Sequence, residues 1–334
     1  MSSDKRVIRS LTSSAQQRTL AAPIEFNGFG LHSGAAVRLT LRPAPVDFGR
    51  RFKRIDRPDS LLIPALAPYV VDTARSTTLG IESGVTVRTV EHLLSALSGL
   101  AVDNCLVEID GEEIPALDGS ALPFVEGLLG VGILEQEGKA TTLECDESID
   151  FVDEPSGSRY SFIPGGFTTM IVTLDFDQFG YGRTDRTYLI SPDSFVNEIA
   201  GARTFCFVSE LALLRRQGLI QGGRIDNALV LMDDRIADDD VSEVLGSVVG
   251  FDRSALTTPG APLIGGPFRF PEEPLRHKLL DLIGDLALLG ARIRGTIVAE
   301  RPGHGANVRF AHHLLRSEHA TASSILSVTG PVAL

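Results

Sequence analysis

Residues 274–290, PLRHKLLDLIGDLALLG, are the stretch from which the rest of the chain can be interpreted. Its apolar side chains recur at helical spacing, and they are Leu279, Leu282, Ile283, Leu286 and Leu289. This spacing predicts an amphipathic helix with one apolar face. Pro274 suits the first helical turn and Gly290 suits the C-terminal stop. The sequence therefore predicts one helix over this stretch.

The other side of this helix carries His277, Asp281 and Asp285, which are spaced i, i+4 and i+8 and so form one stripe. A neutral imidazole and a carboxylate one turn apart can bind a single divalent ion, and zinc is the usual metal for such ligands. A solvated polar face is the alternative, because His-x-x-x-Asp also arises by chance. The spacing alone leaves both interpretations open.

The composition narrows the class of protein. The chain has 334 residues, is 43% hydrophobic and carries a formal net charge of −12. We therefore expect a substantial core, two domains and no bulk nucleic-acid binding. The three separate cysteines, Cys105, Cys145 and Cys206, favour a reducing compartment. Because no apolar leader and no long apolar run occurs, we expect a cytoplasmic protein without a transmembrane segment.

A second helix is predicted at Thr89–Leu100, TVEHLLSALSGL, with Thr89 as its N-terminal cap. Glu91 and His92 fall in its first turn, about 100° apart around the axis. The rigid start of a helix could hold His92 as a metal ligand and Glu91 as a base. The alternative is an ordinary polar first turn, where the helix dipole favours a glutamate.

Two further histidines lie in glycine-rich segments, His32 in NGFGLHSG and His304 in RPGHGAN. The glycines around His32 do not match a dinucleotide-binding motif and no P-loop occurs, so a tight hairpin is the simpler interpretation there. Histidines from distant segments, with helix carboxylates and a Glu-His pair, are the parts of a zinc hydrolase. In such enzymes the metal lowers the pKa of a bound water toward about 7 and other side chains move the protons. Spacing cannot show that these segments converge.

Eight segments carry a resemblance to a known family. They are QRTL at 17–20, GFGLHSG at 28–34, TVEHLLSAL at 89–97, DNCLVEIDGEEIPALDGSALPF at 103–124, ARTF at 202–205, GLIQGG at 218–223, PLRHKLLDLIGDL at 274–286 and GH at 303–304. In this order they resemble the UDP-3-O-acyl-N-acetylglucosamine deacetylases, zinc enzymes of the committed step of lipid A synthesis. The similarity runs from about Gln16 to Arg316.

The resemblance implies a role for each residue of the candidate site. Zinc, with iron as the alternative metal, would be held by His92, His277 and Asp281. A metal-bound water would attack the amide, with Glu91 as general base and His304 as general acid.

The remaining roles concern orientation and the substrate. Asp285 would orient His304 and keep it protonated, Thr204 would help to bind the oxyanion, and Lys278 would face the anionic substrate. Phe205 and His32 are expected on the substrate side.

The resemblance also implies the fold. It is α+β, with two similar two-layer domains, each a small sheet packed on helices, and the active site between them. We predict a first domain at 16–138 with an insertion near 70–89, and a second at 139–318 with a β-α-β insertion near 205–231. The second insertion would form an apolar passage for an acyl chain, from Phe205, Phe207, Leu211, Leu214 and Ile220. Simple core packing is the alternative for each of these residues.

The expected reaction is hydrolysis of the N-acetyl group of UDP-3-O-(3-hydroxyacyl)-N-acetylglucosamine to UDP-3-O-(3-hydroxyacyl)-glucosamine and acetate, by a monomer. Two alternatives stay open. One is a zinc amidohydrolase that acts on another N-acyl substrate. The other is a non-catalytic protein that binds a UDP-sugar or a lipid and carries a structural metal. Residues 233–267 are interpreted as a long loop or a small insertion, and we expect no fused dehydratase domain after Arg316.

Overall fold

The computed structural model describes residues 8–58, 60–224, 226–233, 262–264 and 266–319. Its strands are β1 (Ile8–Leu20), β2 (Ile24–Phe29), β3 (Ala36–Pro43), β4 (Arg50–Arg54), β5 (Ile63–Pro64), β6 (Val70–Asp72), β7 (Thr78–Gly80), β8 (Thr86–Val87), β9 (Cys105–Ile109), β10 (Ile133–Cys145), β11 (Ile149–Asp153), β12 (Ser158–Ile163), β13 (Thr168–Asp175), β14 (Arg183–Leu189), β15 (Phe205–Phe207), β16 (Leu229–Leu231), β17 (Pro262–Ile264), β18 (Arg292–Ile293) and β19 (Gly295–Glu300). Its α-helices are α1 (Glu91–Gly99), α2 (Leu122–Val131), α3 (Pro192–Ser194), α4 (Val208–Arg216), α5 (Glu273–Leu286) and α6 (His304–His319).

Two five-stranded sheets share one topology. Their strand orders are β2-β3-β9-β4-β5 and β11-β12-β19-β13-β14. In each sheet the last strand in sequence lies between the second and the third, and it runs parallel to the third. The remaining neighbours are antiparallel. The predicted α+β class, built from two similar halves, is therefore confirmed.

A third sheet lies where the two predicted domains meet in sequence. β10 pairs antiparallel with β1 along most of its length and parallel with the short β18. The predicted boundary between residues 138 and 139 falls inside β10, so this strand belongs to both predicted units. The division into 16–138 and 139–318 stays a prediction.

The two remaining small sheets occupy the segments where insertions were predicted. β6, β7 and β8 form an antiparallel sheet within residues 70–89. β15 and β16 are parallel and flank α4, which is the expected β-α-β unit. β17 adds a third, antiparallel strand to this unit. Residues 233–267 were interpreted as a long loop or a small insertion, and β17 favours the insertion for residues 262–264. Residues 234–261 and 265 lie outside the described ranges.

Helix α5 is almost entirely buried in the hydrophobic core, where it packs against α1, α6 and β13. The predicted helix is confirmed: α5 is followed by a 3₁₀ turn at Ala287–Leu289, and Gly290 ends it in the left-handed conformation at φ 70°. Among the described residues, each helix is too short or too polar to span a lipid bilayer.

The start of α1 differs from the prediction. The residue before its first turn is Val90, and no side chain caps the helix. Thr89 has φ 58°, whereas a capping residue normally has extended backbone angles, and its hydroxyl donates to Glu113 Oε1 at 3.1 Å instead of accepting an N–H of α1. The predicted Thr89 cap was therefore wrong.

Helices α1 and α5 approach each other closely at Gly284. A Cβ atom there would lie 2.1 Å from the carbonyl oxygen of Glu91. We expect Gly284→Ala to lower the free energy of unfolding by about 3 kcal/mol, the upper end for overpacking, because the contact is with backbone. Denaturant unfolding measures the change.

A second helical glycine provides the control. A Cβ atom at Gly130 in α2 would have no neighbouring atom within 4 Å among the described residues. Gly130→Ala should raise the free energy of unfolding by about 0.5–1 kcal/mol, because alanine restricts the unfolded chain and favours the helix. If Gly284→Ala had the same midpoint denaturant concentration as the wild type, the close contact between α1 and α5 at Gly284 would be contradicted.

Candidate metal centre and active site

The three predicted metal ligands meet between α1 and α5. His92 comes from the first turn of α1, and His277 and Asp281 come from successive turns of α5. Their ligand atoms all lie within 4.8 Å of one another. The Nε2 atoms of His92 and His277 lie 3.6 Å and 3.4 Å from Asp281 Oδ1. Because the three side chains are buried together, the solvated-face interpretation of the α5 stripe is wrong.

This donor set fits a divalent metal ion. Asp281 Oδ1 is buried and has no hydrogen-bond partner among the described residues. Such an oxygen is costly unless a cation compensates it. His277 Nδ1 lies 3.0 Å from the carbonyl oxygen of Ala202, so the ring donates there and its Nε2 is left to ligate. Two imidazoles and one carboxylate are the protein ligands of an open tetrahedral site.

The charges at the centre also suit a cation. Burial lowers the pKa of His277 to about 4, so the ring is neutral at neutral pH. Burial alone would raise the pKa of Asp281, but the His277 ring and the Lys278 ammonium hold it well below its usual value. Lys278 Nζ lies 3.0 Å from Asp281 Oδ2. The imidazole and the carboxylate therefore have the protonation states in which they bind metals.

Glu91 lies beside the three ligands and is 2% exposed. Its Oε2 accepts the backbone N–H of Thr77 at 3.0 Å. Burial raises the pKa of Glu91, against the opposite effect of the His304 and His92 rings. A carboxylate with a raised pKa is a stronger base, so Glu91 can accept a proton from a water at this centre.

His304 and Asp285 form a second proton-handling pair. His304 lies in the first turn of α6, and its Nδ1 is 2.9 Å from Asp285 Oδ2. Its Nε2 lies 3.9 Å from Asp281 Oδ2, on the side of the metal ligands. Burial alone would lower the pKa of His304, but neighbouring carboxylates, Asp285 first, outweigh burial and raise it to about 9. His304 is thus an imidazolium at neutral pH and can donate a proton.

Three residues that sequence reasoning missed support this pair. Asn307 Nδ2 donates to Asp285 Oδ2 at 2.8 Å, and the Tyr160 hydroxyl donates to Asn307 Oδ1 at 2.6 Å. Asn307 lies three residues after His304 on α6, so the i, i+3 spacing could have indicated it. No local pattern points to Tyr160, which arrives from β12. Thr77, which also contacts Asp285, was missed for the same reason.

Thr204 and Phe205, for which a substrate-side role was predicted, lie at the start of β15. Thr204 donates its N–H to Gly119 O and accepts from Leu229 N, both at 2.8 Å, which fixes its backbone. The Phe205 ring centroid lies 6.2 Å from that of His277, and Lys278 Nζ lies 5.6 Å from it. The two residues therefore connect the ligand cluster with the β-α-β unit.

A cavity of about 110 Å³ opens beside Thr204 and Phe205. The apolar side chains that line it are Leu31, Phe205, Leu211, Leu214, Ile220 and Val230. Four of the five residues predicted for the acyl passage line this cavity, and the passage itself stays a prediction. Phe207 is not among the lining residues but stacks on Phe179 with ring centroids 3.9 Å apart, so core packing explains it.

His32 also lines this cavity and is 5% exposed. Its backbone N–H donates to Glu113 Oε1 at 2.8 Å, which fixes the loop. Burial lowers the pKa of its ring, and its Nδ1 has no hydrogen-bond partner among the described residues. A neutral imidazole with one unused nitrogen at the cavity wall is suited to contact a polar group of a ligand.

Comparison with known proteins identifies a single family, both by its family model and by individual relatives. The model of the family LpxC, described as UDP-3-O-acyl N-acetylglycosamine deacetylase, matches residues 17–244 and 251–316. A UDP-3-O-acyl-N-acetylglucosamine deacetylase from Saccharophagus degradans is 40% identical over 307 residues, which cover 91% of this chain and 92% of the relative. The bifunctional enzyme LpxC/FabZ from Chlorobaculum tepidum is 42% identical over 299 residues, 89% of this chain but only 64% of that relative.

Proposed function

The chain belongs to the UDP-3-O-acyl-N-acetylglucosamine deacetylase family, and we propose that it removes the N-acetyl group of UDP-3-O-(3-hydroxyacyl)-N-acetylglucosamine by hydrolysis. The products are UDP-3-O-(3-hydroxyacyl)-glucosamine and acetate, and the reaction is the committed step of lipid A biosynthesis. The supporting observation is the single buried centre in which a three-ligand cluster stands beside a base and an acid.

Zinc is the metal that we propose for His92, His277 and Asp281, with iron(II) as the alternative. When bound, the ion would polarise the acetamide carbonyl and make a water more acidic. A purely structural metal is normally closed by four protein ligands. The neighbouring Glu91 and His304 would have no purpose at such a site, so a reactive centre accounts for more of the geometry.

The side chains divide the proton transfers between them. Glu91 takes a proton from the water that attacks the acetamide carbon. His304, as the imidazolium, gives a proton to the amide nitrogen when the C–N bond breaks, and Asp285 keeps its ring oriented. The hydroxyl of Thr204 donates to the carbonyl oxygen as that oxygen becomes negative.

The substrate would be held on the side of the β-α-β unit. The cavity lined by Phe205, Leu211 and Leu214 is mainly apolar, which suits the acyl chain, although Arg75, Arg215 and Arg224 also line it. Lys278 supplies positive charge near the ligand cluster, which an anionic substrate needs because the chain as a whole carries a net charge of −12. His32 would contact a polar group of the substrate at the same cavity.

We further propose that the protein works in the cytoplasm. Cys105 and Cys145 are buried and Cys206 is partly exposed, and all three are free thiols. Free thiols are typical of proteins in a reducing compartment. The monomeric state stays a prediction, and sedimentation of the purified chain tests it.

The proposed reaction is tested by acetate release from UDP-3-O-(3-hydroxymyristoyl)-N-acetylglucosamine and its shorter and longer acyl homologues. We expect release that a chelator abolishes and that added zinc restores, because the metal is needed for the attack. If the protein bound zinc but released no acetate at any acyl length, the proposed substrate would be wrong. Release from other N-acyl compounds would then identify a different amidohydrolase.

A further inference from the structure

Thr77, which immediately precedes β7, contacts both proton-handling groups of the centre. It is fully buried. Its backbone N–H donates to Glu91 Oε2 at 3.0 Å, and its hydroxyl donates to Asp285 Oδ1 at 2.6 Å. Its carbonyl oxygen accepts the N–H of Val90 at 3.2 Å, so its backbone is also fixed to the start of α1. One residue of the first insertion thus spans from α1 to α5.

We propose that Thr77 is a positioning residue that holds the Glu91 carboxylate and the Asp285–His304 pair in one fixed geometry. The inference rests on the proposed deacetylase function, in which Glu91 accepts a proton and His304 donates one. A displacement of about 1 Å in such groups can cost about 10²-fold in rate. A shared donor residue between two buried carboxylates prevents that displacement.

The hydrogen bonds of Asp285 show why the hydroxyl matters. Asp285 Oδ2 receives donors from His304 and Asn307, both of which come from α6. Oδ1 accepts a hydrogen bond from the hydroxyl of Thr77, which comes from the first insertion and not from α6. Without that hydroxyl the carboxylate would be held at one oxygen only and could rotate about its Cβ–Cγ bond. His304 would then lose the fixed acceptor that sets the orientation of its ring.

The neighbouring threonine provides a matched control. Thr78 is 4% exposed, and its hydroxyl is buried without a hydrogen-bond partner among the described residues. Replacing either threonine by valine makes the same chemical change at adjacent buried positions. Only the change at Thr77 removes a hydrogen bond to a carboxylate, so the difference between the two variants isolates that bond.

The test compares Thr77→Val, Thr77→Ser and Thr78→Val in steady-state acetate release with saturating zinc. We expect Thr77→Val to lower kcat by about 10- to 100-fold, the equivalent of one hydrogen bond to a charged group, with KM nearly unchanged. Thr77→Ser, which keeps the hydroxyl, should stay within about three-fold of the wild type. Thr78→Val should match the wild type. A packing role predicts the reverse order, since valine keeps the shape and serine loses a methyl group, and that order would overturn the proposal.

A measurement without substrate separates this inference from the proposed function. The His304 Nδ1–H proton, which lies in the hydrogen bond to Asp285, is followed by NMR and identified by its loss in His304→Ala. We expect its resonance to be unchanged in Thr78→Val and shifted in Thr77→Val. An unshifted resonance in Thr77→Val would overturn the positioning role, whether or not the wild type released acetate. A wild type that released no acetate would contradict the proposed function but not the positioning role.

A further variant covers the case in which Thr77→Val does not fold. Thr77→Cys keeps a side chain of similar size but offers only a weak S–H donor. We expect a lower kcat and a shifted His304 resonance in this variant too. Wild-type values for both would overturn the positioning role.

Discussion

Glu91→Gln is expected to bind the metal ion as the wild type does and to lose about 10²-fold or more in kcat. Glutamine keeps the shape of the side chain, and its amide oxygen can still accept the N–H of Thr77. It cannot take a proton from water, because the amide is not basic. Steady-state kinetics and metal content, measured on the same preparation, check the two halves of this prediction.

The control is the same substitution at a residue far from the centre. Glu108 lies on β9 and pairs with Arg42 at the surface. Glu108→Gln should leave kcat and the metal content near wild-type values, since exposed ion pairs contribute little. If Glu91→Gln also stayed near full activity, Glu91 would not be the base. If it lost the metal, Glu91 would belong to the ligand set instead.

The helix at the centre of the fold could be predicted because its information is local. Apolar spacing, Pro274 and Gly290 define α5 within the sequence itself, and the structure confirms both ends to within a turn. The stripe on its other side could not be interpreted in the same way. His277 and Asp281 have identical spacing on a solvated face and in a metal site, and the difference is made by α1, which brings His92 to them.

The family resemblance, confirmed by the family comparison, supplied roles that spacing could not supply. It did not indicate the residues that support those roles. Thr77, Tyr160 and Asn307 are ordinary polar residues in sequence, and they matter only because three separate elements fold around Asp285. The backbone of Thr89, at φ 58°, explains why the predicted cap was wrong. For Phe207 the sequence left a passage and core packing open, and the stacking on Phe179 favours core packing.

His277→Ala is expected to lose the metal and the activity together. Removing its imidazole leaves only His92 and Asp281 of the three converging ligands. Loss of a residue that hydrogen-bonds to a metal ligand costs up to about 100-fold in metal affinity. Loss of the ligand itself should lower the affinity for zinc by more than that. The rate should fall by about 10³-fold or more, because several kcal/mol of charge stabilisation disappear with the ion. Metal analysis after dialysis and acetate release measure the two effects.

Thermal unfolding adds a readout that does not need substrate. A ligand that binds only the folded state raises stability in proportion to RT ln(1 + [L]/Kd). Added zinc should therefore raise the unfolding temperature of the wild type and of His312→Ala, whose histidine lies half-buried on α6 away from the cluster. Added zinc should leave the unfolding temperature of His277→Ala nearly unchanged. If His277→Ala still bound one equivalent of zinc tightly, His277 would not be a ligand. The Asp281 Oδ1 atom, which has no hydrogen-bond partner in the part of the chain that the structure describes, would then need another explanation.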